Sequence, residues 1–261
     1  MKTVFITGAA AGIGLAIARR FAAEGWLTGL YDIDEERIGM LLETPEFNNA
    51  CGGRCDVTSR ESVSGALVHF ADRTQGRLDV LVNNAGVLKA GQFETIDPDA
   101  HDMIIRVNIQ GLTQVAQQAF PLLQQTPNST MVNLCSVSSV FGVPLLAVYS
   151  ASKFYVNGLT QALSIEWAQH GIRVLSIKPP FVKTGMIDGM PEQLMEIFTV
   201  DLVPEDVADT LMSALSGSGE SYLMGWKAKA LGVLNKILPG RLGRRVTMWL
   251  TGYPVNPGSQ T

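Results

Sequence analysis

Cysteine is scarce in this chain, and so are histidine, charge and long apolar runs. Its 261 residues include three cysteines, Cys51, Cys55 and Cys135. So sparse and odd a set builds no disulfide framework and suits a reducing compartment, which makes a cytoplasmic location the expectation. Three residues separate Cys51 from Cys55 and no histidine lies close by, so buried or neutral thiols are expected rather than a zinc or redox pair. His69, His101 and His170 share no ligand spacing, and no metal site is expected. Charged residues make up only 17% of the chain against 46% apolar ones, a balance that excludes a disordered polymer. A net charge of −4 lacks the basic footprint of a nucleic-acid binder, and no nucleic-acid partner is expected. No run of about 18 apolar residues occurs, so no spanning helix is read. Residues 3–18 superficially resemble a signal peptide, but Gly8, Gly12 and Gly14 interrupt the apolar stretch.

What is present is an alternation of short β-type runs and longer helical patterns. Residues 2–7, 27–32, 50–55, 78–83, 130–136 and 172–178 read as strands, with 222–224 a short last one. Residues 12–24, 34–43, 59–75, 99–125, 149–170 and 204–215 read as helices. Asp34 is the expected N-cap of the second helix, and Gly171 closes the helix at 149–170. Nearly continuous apolar strands separated by helices predict an α/β fold, a parallel sheet covered on both faces. With no repeat or linker, one domain is expected over 1–225.

Thr7 to Gly14 reads T-G-x-x-x-G-x-G between the first strand and the first helix. Gly8 permits a tight turn, and Gly12 and Gly14 let backbone and helix approach a pyrophosphate. The helix N-terminus offers that anion unpaired N–H groups and partial positive charge. Asp32 follows Gly14 by 18 residues at the end of the second strand. Its carboxylate suits the two ribose hydroxyls of NAD and repels the extra phosphate of NADP, while a helix cap is the competing reading. Tyr149 and Lys153 stand at i and i+4 and share a helix face. A lysine cation beside a phenol stabilises the phenolate and lowers its pKa, which suits proton transfer.

With Asn83-Asn84-Ala85-Gly86 directly after a strand and Asp56-Val57 after another, the sequence resembles the short-chain dehydrogenase/reductase (SDR) family over about residues 1–225. The resemblance implies a Rossmann-type doubly wound sheet and an NAD-dependent oxidoreductase. It implies a catalytic set of Asn108, Ser136, Tyr149 and Lys153. Ser136 would hydrogen-bond the substrate oxygen, Tyr149 would move the proton, and Lys153 would hold the nicotinamide ribose. Asn108 would kink its helix and hold a water feeding protons to Lys153. The cofactor residues it implies are Gly8, Gly12, Ile13, Gly14, Asp32, Ile33, Asp56, Val57, Asn84, Ala85, Gly86, Tyr149, Lys153, Pro179, Val182 and Thr184. One departure stands out. Pro180 takes the place of the family's usual glycine and removes a donor and backbone freedom, so a slightly altered loop is expected.

In this family the segment after Thr184 forms a mobile substrate lid. Here it carries Met186, Ile187, Met190, Leu194, Met195, Ile197 and Phe198, with acids Asp188, Glu192 and Glu196. Met-rich surfaces adapt to varied apolar shapes. Ser136, Ser138, Leu145, Tyr149, Phe181 and Met186 are the expected substrate contacts, with Leu146 near the same cleft. No arginine in the lid clamps an anion, which favours a small hydrophobic alcohol or ketone over a sugar. Equally, these apolar residues could serve only to pack the lid down. A catalytically silent NAD(H)-sensing module is the alternative to an enzyme, since a fold alone does not give a function.

The end of the chain is different. The net −4 is the sum of −10 over residues 1–220 and +6 over 221–261, where Lys227, Lys229, Lys236, Arg241, Arg244 and Arg245 meet no acid. Apolar residues recur there at helical spacing, so residues 226–253 read as a basic amphipathic helical extension and 254–261 as a disordered terminus. Such a pattern suits peripheral contact with an anionic membrane and a lipid-like substrate, or packing over the cleft or another subunit. A homodimer or homotetramer is expected from the resemblance, with pairing through the helices at 99–125 and 149–170.

Overall fold

Strand residues here alternate between two apolar neighbourhoods, and this alternation builds the molecule. In the computed structural model, residues 1–188, 190, 191, 194, 201–225, 242, 245 and 248 are described. Seven strands form one parallel sheet in the order β3-β2-β1-β4-β5-β6-β7. They are β1 (Thr3–Thr7), β2 (Leu27–Asp32), β3 (Ala50–Arg54), β4 (Val80–Asn83), β5 (Thr130–Leu134), β6 (Arg173–Lys178) and β7 (Ser221–Leu223). The helices are α1 (Gly12–Ala23), α2 (Glu35–Leu42), α3 (Arg60–Thr74), α4 (Pro98–Ile105), α5 (Leu112–Gln125), α6 (Ala147–Glu166) and α7 (Pro204–Ser216). Val4, Ile6, Val80, Val82, Val132 and Leu175 pack on one face with Phe21 of α1, Ile38 of α2 and Leu211 of α7. Phe5, Leu81, Met131 and Val174 pack on the other with Phe70 of α3 and Leu123 of α5. Each such fully buried side chain contributes about 1.5–3 kcal/mol of transfer free energy. The parallel sheet covered on both faces that the pattern predicts, and the doubly wound arrangement that the resemblance implies, are found.

Local chemistry sets the helix starts. The Asp34 carboxylate accepts from Arg37 N at 3.0 Å, and Ser59 Oγ accepts from Ser62 N at 3.2 Å. Both satisfy amides that a helix leaves unpaired. The expected single helix over 99–125 is interrupted: Arg106–Gly111 forms a π-helical segment between α4 and α5. Likewise α6 ends at Glu166, and Trp167–His170 tighten into a 3-10 turn before Gly171 closes it at φ +71°. A polar row ties α6 to the sheet. Asn83 Nδ2 donates to Asn133 Oδ1 and Asn133 Nδ2 to Thr160 Oγ1, each at 2.9 Å.

All three cysteines are buried and free. Among the described residues no helix is long and apolar enough to cross a membrane. Lid residues Glu192, Met195, Glu196, Ile197 and Phe198 lie outside the described residues, as do the expected extension over 226–253, three positions aside, and the expected terminus over 254–261.

Candidate active site

The strand order reverses between β1 and β4, where open α/β sheets form a crevice at the strand ends. β1 ends at Thr7, and the chain turns through Gly8 into α1. Gly8 holds φ +67°, and a β-carbon there would stand 2.9 Å from Ala85 Cα. A β-carbon on Gly14 would run into the Gly8 carbonyl oxygen, so α1 seats against the turn only with glycine there. Thr7 Oγ1 accepts from Asn84 N and Ala85 N, both at 3.1 Å. Asn84 Nδ2 donates back to Thr7 O at 3.0 Å and Gly8 O at 2.9 Å. The two family motifs are thus one hydrogen-bonded unit.

Beside it opens a cleft of about 360 Å³. Gly8, Gly12 and Ile13 line its α1 end, Asp32, Ile33, Asp56 and Val57 its far end, and Asn84, Ala85, Gly86 and Thr184 the remainder. Ala11, Cys55, Val107 and Gly185 also line it and had no distinguishing signal in the sequence. Asp32 Oδ2 accepts from Ala10 N at 2.9 Å and Oδ1 from Asp34 N at 3.1 Å. The carboxylate therefore steadies the glycine turn as well as facing the cleft, while the helix cap is Asp34. Burial pushes the Cys55 thiol up to about 12, with Asp56 and Asp32 adding to the effect.

Some expected positions fall elsewhere. Met186, read as a substrate contact, lines this cleft beside Thr184 and Gly185. Val182 does not line it; its side chain is buried in the core and its backbone bridges Leu202. Pro179 contributes its carbonyl, which accepts from Val137 N at 3.0 Å. Gly14 packs behind the turn. The loop after Pro180 nevertheless delivers Thr184 to Gly12, whose β-carbon would stand 3.3 Å from Thr184 Cγ2.

The other end of the crevice gathers Asn108, Ser136, Tyr149 and Lys153. Lys153, buried in α6, donates through Nζ to Leu134 O at 2.9 Å and stands 5.6 Å from the Tyr149 ring centroid. A β-carbon on Gly86 would lie 3.8 Å from that ammonium, so Lys153 reaches the wall of the cofactor cleft. Burial holds Tyr149 above its ordinary range and the neighbouring Cys135 adds to this, while a hydrogen bond with Ser136 opposes it. Burial likewise depresses Lys153. The direction at Tyr149 is thus opposite to the lowering expected from Lys153, because desolvation dominates. Asn108 sits in the π segment. Its Oδ1 accepts from Val87 N at 2.8 Å, and its Nδ2 donates to Val87 O at 2.9 Å and Ser152 Oγ at 3.1 Å. Ser152 Oγ in turn donates to Tyr149 O at 2.7 Å. Ser152, fully buried, had been indistinguishable from filler between Tyr149 and Lys153 in the sequence.

Around Tyr149 the surroundings are apolar. Val137, Phe141, Val143, Leu146 and Leu194 pack with it, and Leu88, Leu145, Phe181 and Leu223 border them. Leu145 and Phe181, two of the expected substrate contacts, thus pack against the cluster that holds Tyr149. Ser136 Oγ accepts from Ser138 N at 3.1 Å; Ser138 Oγ is buried and finds no partner among the described residues.

The cleft fits a dinucleotide. Its glycine turn brings backbone to the first turn of α1, whose N–H groups suit a pyrophosphate, and Asp32 offers acceptors at the ribose end. A phenol, a hydroxyl and an ammonium gathered beside it can exchange a proton with a bound oxygen.

The chain is similar to known proteins over most of its length. The 3-oxoacyl-[acyl-carrier-protein] reductase of Thermotoga maritima is 33% identical over 235 residues, covering 86% of this chain and 94% of that protein. The crystal structure of the 3-ketoacyl-(acyl-carrier-protein) reductase from Brucella melitensis complexed with NADH matches with a TM-score of 0.76 at 26% identity, covering 85% of this chain and 95% of that one. An actinorhodin polyketide ketoreductase with NADPH also matches with a TM-score of 0.76, at 29% identity, covering 85% of this chain and 94% of that one. The short chain dehydrogenase profile spans residues 2–194. The chain belongs to the short chain dehydrogenase family, whose oxidoreductases use a nicotinamide cofactor.

Proposed function

We propose that this protein is an NAD(H)-dependent dehydrogenase that interconverts a hydrophobic secondary alcohol and its ketone. The observation that carries the reading is Tyr149, buried among apolar side chains with Lys153 at its ring and the cofactor cleft alongside. A nicotinamide cofactor held along Gly8, Gly12, Asp32 and Lys153 would supply the hydride-accepting chemistry. Ser136 donates to the substrate oxygen and orients it. Tyr149 takes the hydroxyl proton as the carbonyl forms, and returns it in the reverse direction. Lys153 stabilises the phenolate, while Asn108 and Ser152 position Tyr149 through its backbone. Asp32 selects NAD, because a second negative charge at its carboxylate is repelled. A screen of secondary alcohols and ketones of graded size, following NADH, tests this reading. Tight NADH binding without turnover across the whole panel would favour a sensing module instead.

A second reading concerns the basic end of the chain. Six cations and no acid follow residue 220. β7 runs parallel to β6 and ends at the carboxyl edge of the sheet, and its Leu223 borders the cluster around Tyr149. The basic sequence thus follows a strand that borders the Tyr149 cluster, which supports contact with an anionic membrane that delivers an apolar substrate. Homo-oligomerisation is proposed through α4–α6, where Met103, Phe154 and Ile165 are exposed. Light scattering on the purified protein tests it, and a monomeric mass would exclude it.

A further inference from the structure

Three non-glycine residues among those described adopt a left-handed backbone: Gln75, Asn128 and Leu145. Two have ordinary reasons. Gln75 is the C-cap of α3, with its N–H on Ala71 O, and asparagine tolerates this region better than most residues. Leu145, at φ +67°, has neither. Its β-carbon crowds the adjoining carbonyl, a strain that glycine would escape.

The surroundings hold this conformation firmly. Gly91 N donates to Leu145 O at 2.9 Å, joining the loop after β4 to the loop before α6. Leu146 N donates to Val143 O at 3.1 Å, and Val143 N to Ser150 Oγ at 3.1 Å. Leu88 and Ala90 from the first loop and Phe141 and Val143 from the second meet in the apolar cluster of Tyr149. The strained residue is therefore the clasp between the two walls that flank the catalytic phenol. Strain of this kind persists where the surroundings over-determine the backbone, and it clusters at active sites and ligand clamps.

We infer that Leu145 is a specificity-determining residue: its side chain fills space beside the reacting carbon and restricts that side of the substrate to a compact, uncharged alkyl group. The inference rests on the dehydrogenase reading and narrows it. The side chains that meet in this cluster from the two loops, Leu88, Ala90, Phe141 and Val143, are apolar, so an ionised substituent against them would be desolvated without a partner. A bulky substituent would have to displace Leu145 from a backbone held on both sides.

Two variants, Leu145→Gly and Leu145→Ala, test this in the full chain with NADH, 2-butanone and 2-acetonaphthone as probes. Both remove bulk, and both should shift the kcat/KM ratio toward the naphthyl ketone by about tenfold or more. Only glycine relieves the left-handed strain, so the Gly variant should have a higher urea midpoint than the Ala variant, the reverse of their usual order. An unchanged ratio in active variants overturns the specificity role. An Ala variant as stable as the Gly variant overturns the strain. No turnover by the wild-type protein on a broad ketone panel overturns the dehydrogenase reading and the specificity role with it. The Gly–Ala stability order is read independently of that result.

Discussion

Lys153 stands with its ammonium 5.6 Å from the centroid of the Tyr149 ring, yet both groups are buried and each is pushed by desolvation toward its neutral form. Tyr149 is thereby poised as an acid in the folded protein. Ketone reduction should hold a plateau through neutral pH, and alcohol oxidation should rise toward alkaline pH as the phenol ionises. Tyr149→Phe should lower turnover by about 10²–10⁴-fold. NADH affinity, read by fluorescence titration, should stay within about twofold. Unchanged turnover would remove Tyr149 from the chemistry.

Asp32 joins cofactor choice to the shape of the glycine turn. Asp32→Asn keeps an oxygen for Ala10 N but removes the charge. It should lower the NAD-to-NADP ratio of kcat/KM by about tenfold, a change of about 1.4 kcal/mol, with little effect on the urea midpoint. Asp32→Ala should lower the ratio and also destabilise, because Ala10 N loses its partner. Steady-state kinetics with both cofactors decides, and a ratio untouched by either variant excludes the selective role.

Alkaline stability should carry the mark of Cys55. Its thiol is pushed up to about 12 in the folded chain against an ordinary 9.0, and burial raises Cys51 and Tyr31 as well. Between those values the folded chain holds a proton that the unfolded chain has released. Its stabilising contribution is complete below pH ~9 and is lost as pH rises toward ~12, at up to about 1.4 kcal/mol per pH unit. Urea midpoints measured from pH ~8 upward should fall, and Cys55→Ala should flatten the slope. An identical slope in that variant would assign the loss to other groups.

Replacing Lys227, Lys229, Arg244 and Arg245 by alanine together should weaken co-sedimentation with phosphatidylserine vesicles by at least about tenfold, at about 1 kcal/mol per cation. Phosphatidylcholine vesicles should bind neither protein, and salt near ~0.5 M should release the native one. Equal binding by both proteins would dismiss the membrane contact.

Local chemistry made much of this molecule readable in advance. The glycines of residues 8–14 and the acid at Asp32 announce themselves because each meets a backbone requirement that few residue types satisfy. The strands show because both of their faces are buried. Other features leave no compositional trace. The π segment is a change of hydrogen-bond frame inside an unbroken helical pattern, so the sequence reads as one helix there. Ser152 looks like spacing until Asn108 comes within 3.1 Å. Leu145 conceals its left-handed backbone because nothing about leucine advertises one. Met186 reads as a lid residue by position, but the turn at Gly185–Ile187 swings it to the cofactor side.

The π segment also bears on how this chain tolerates insertions and deletions. A π turn contains one residue more than an α turn, and each residue of an α-helix advances the chain by about 100° around its axis. Deleting one residue within Arg106–Gly111 would therefore close the segment to an α turn and leave α5 with Leu112, Val115, Ala119 and Leu123 on their buried face. The same deletion would withdraw Asn108 from Val87 and Ser152. Seating the helix and placing the amide are therefore separate constraints, and a one-residue deletion in this stretch should spare the fold while it costs catalysis.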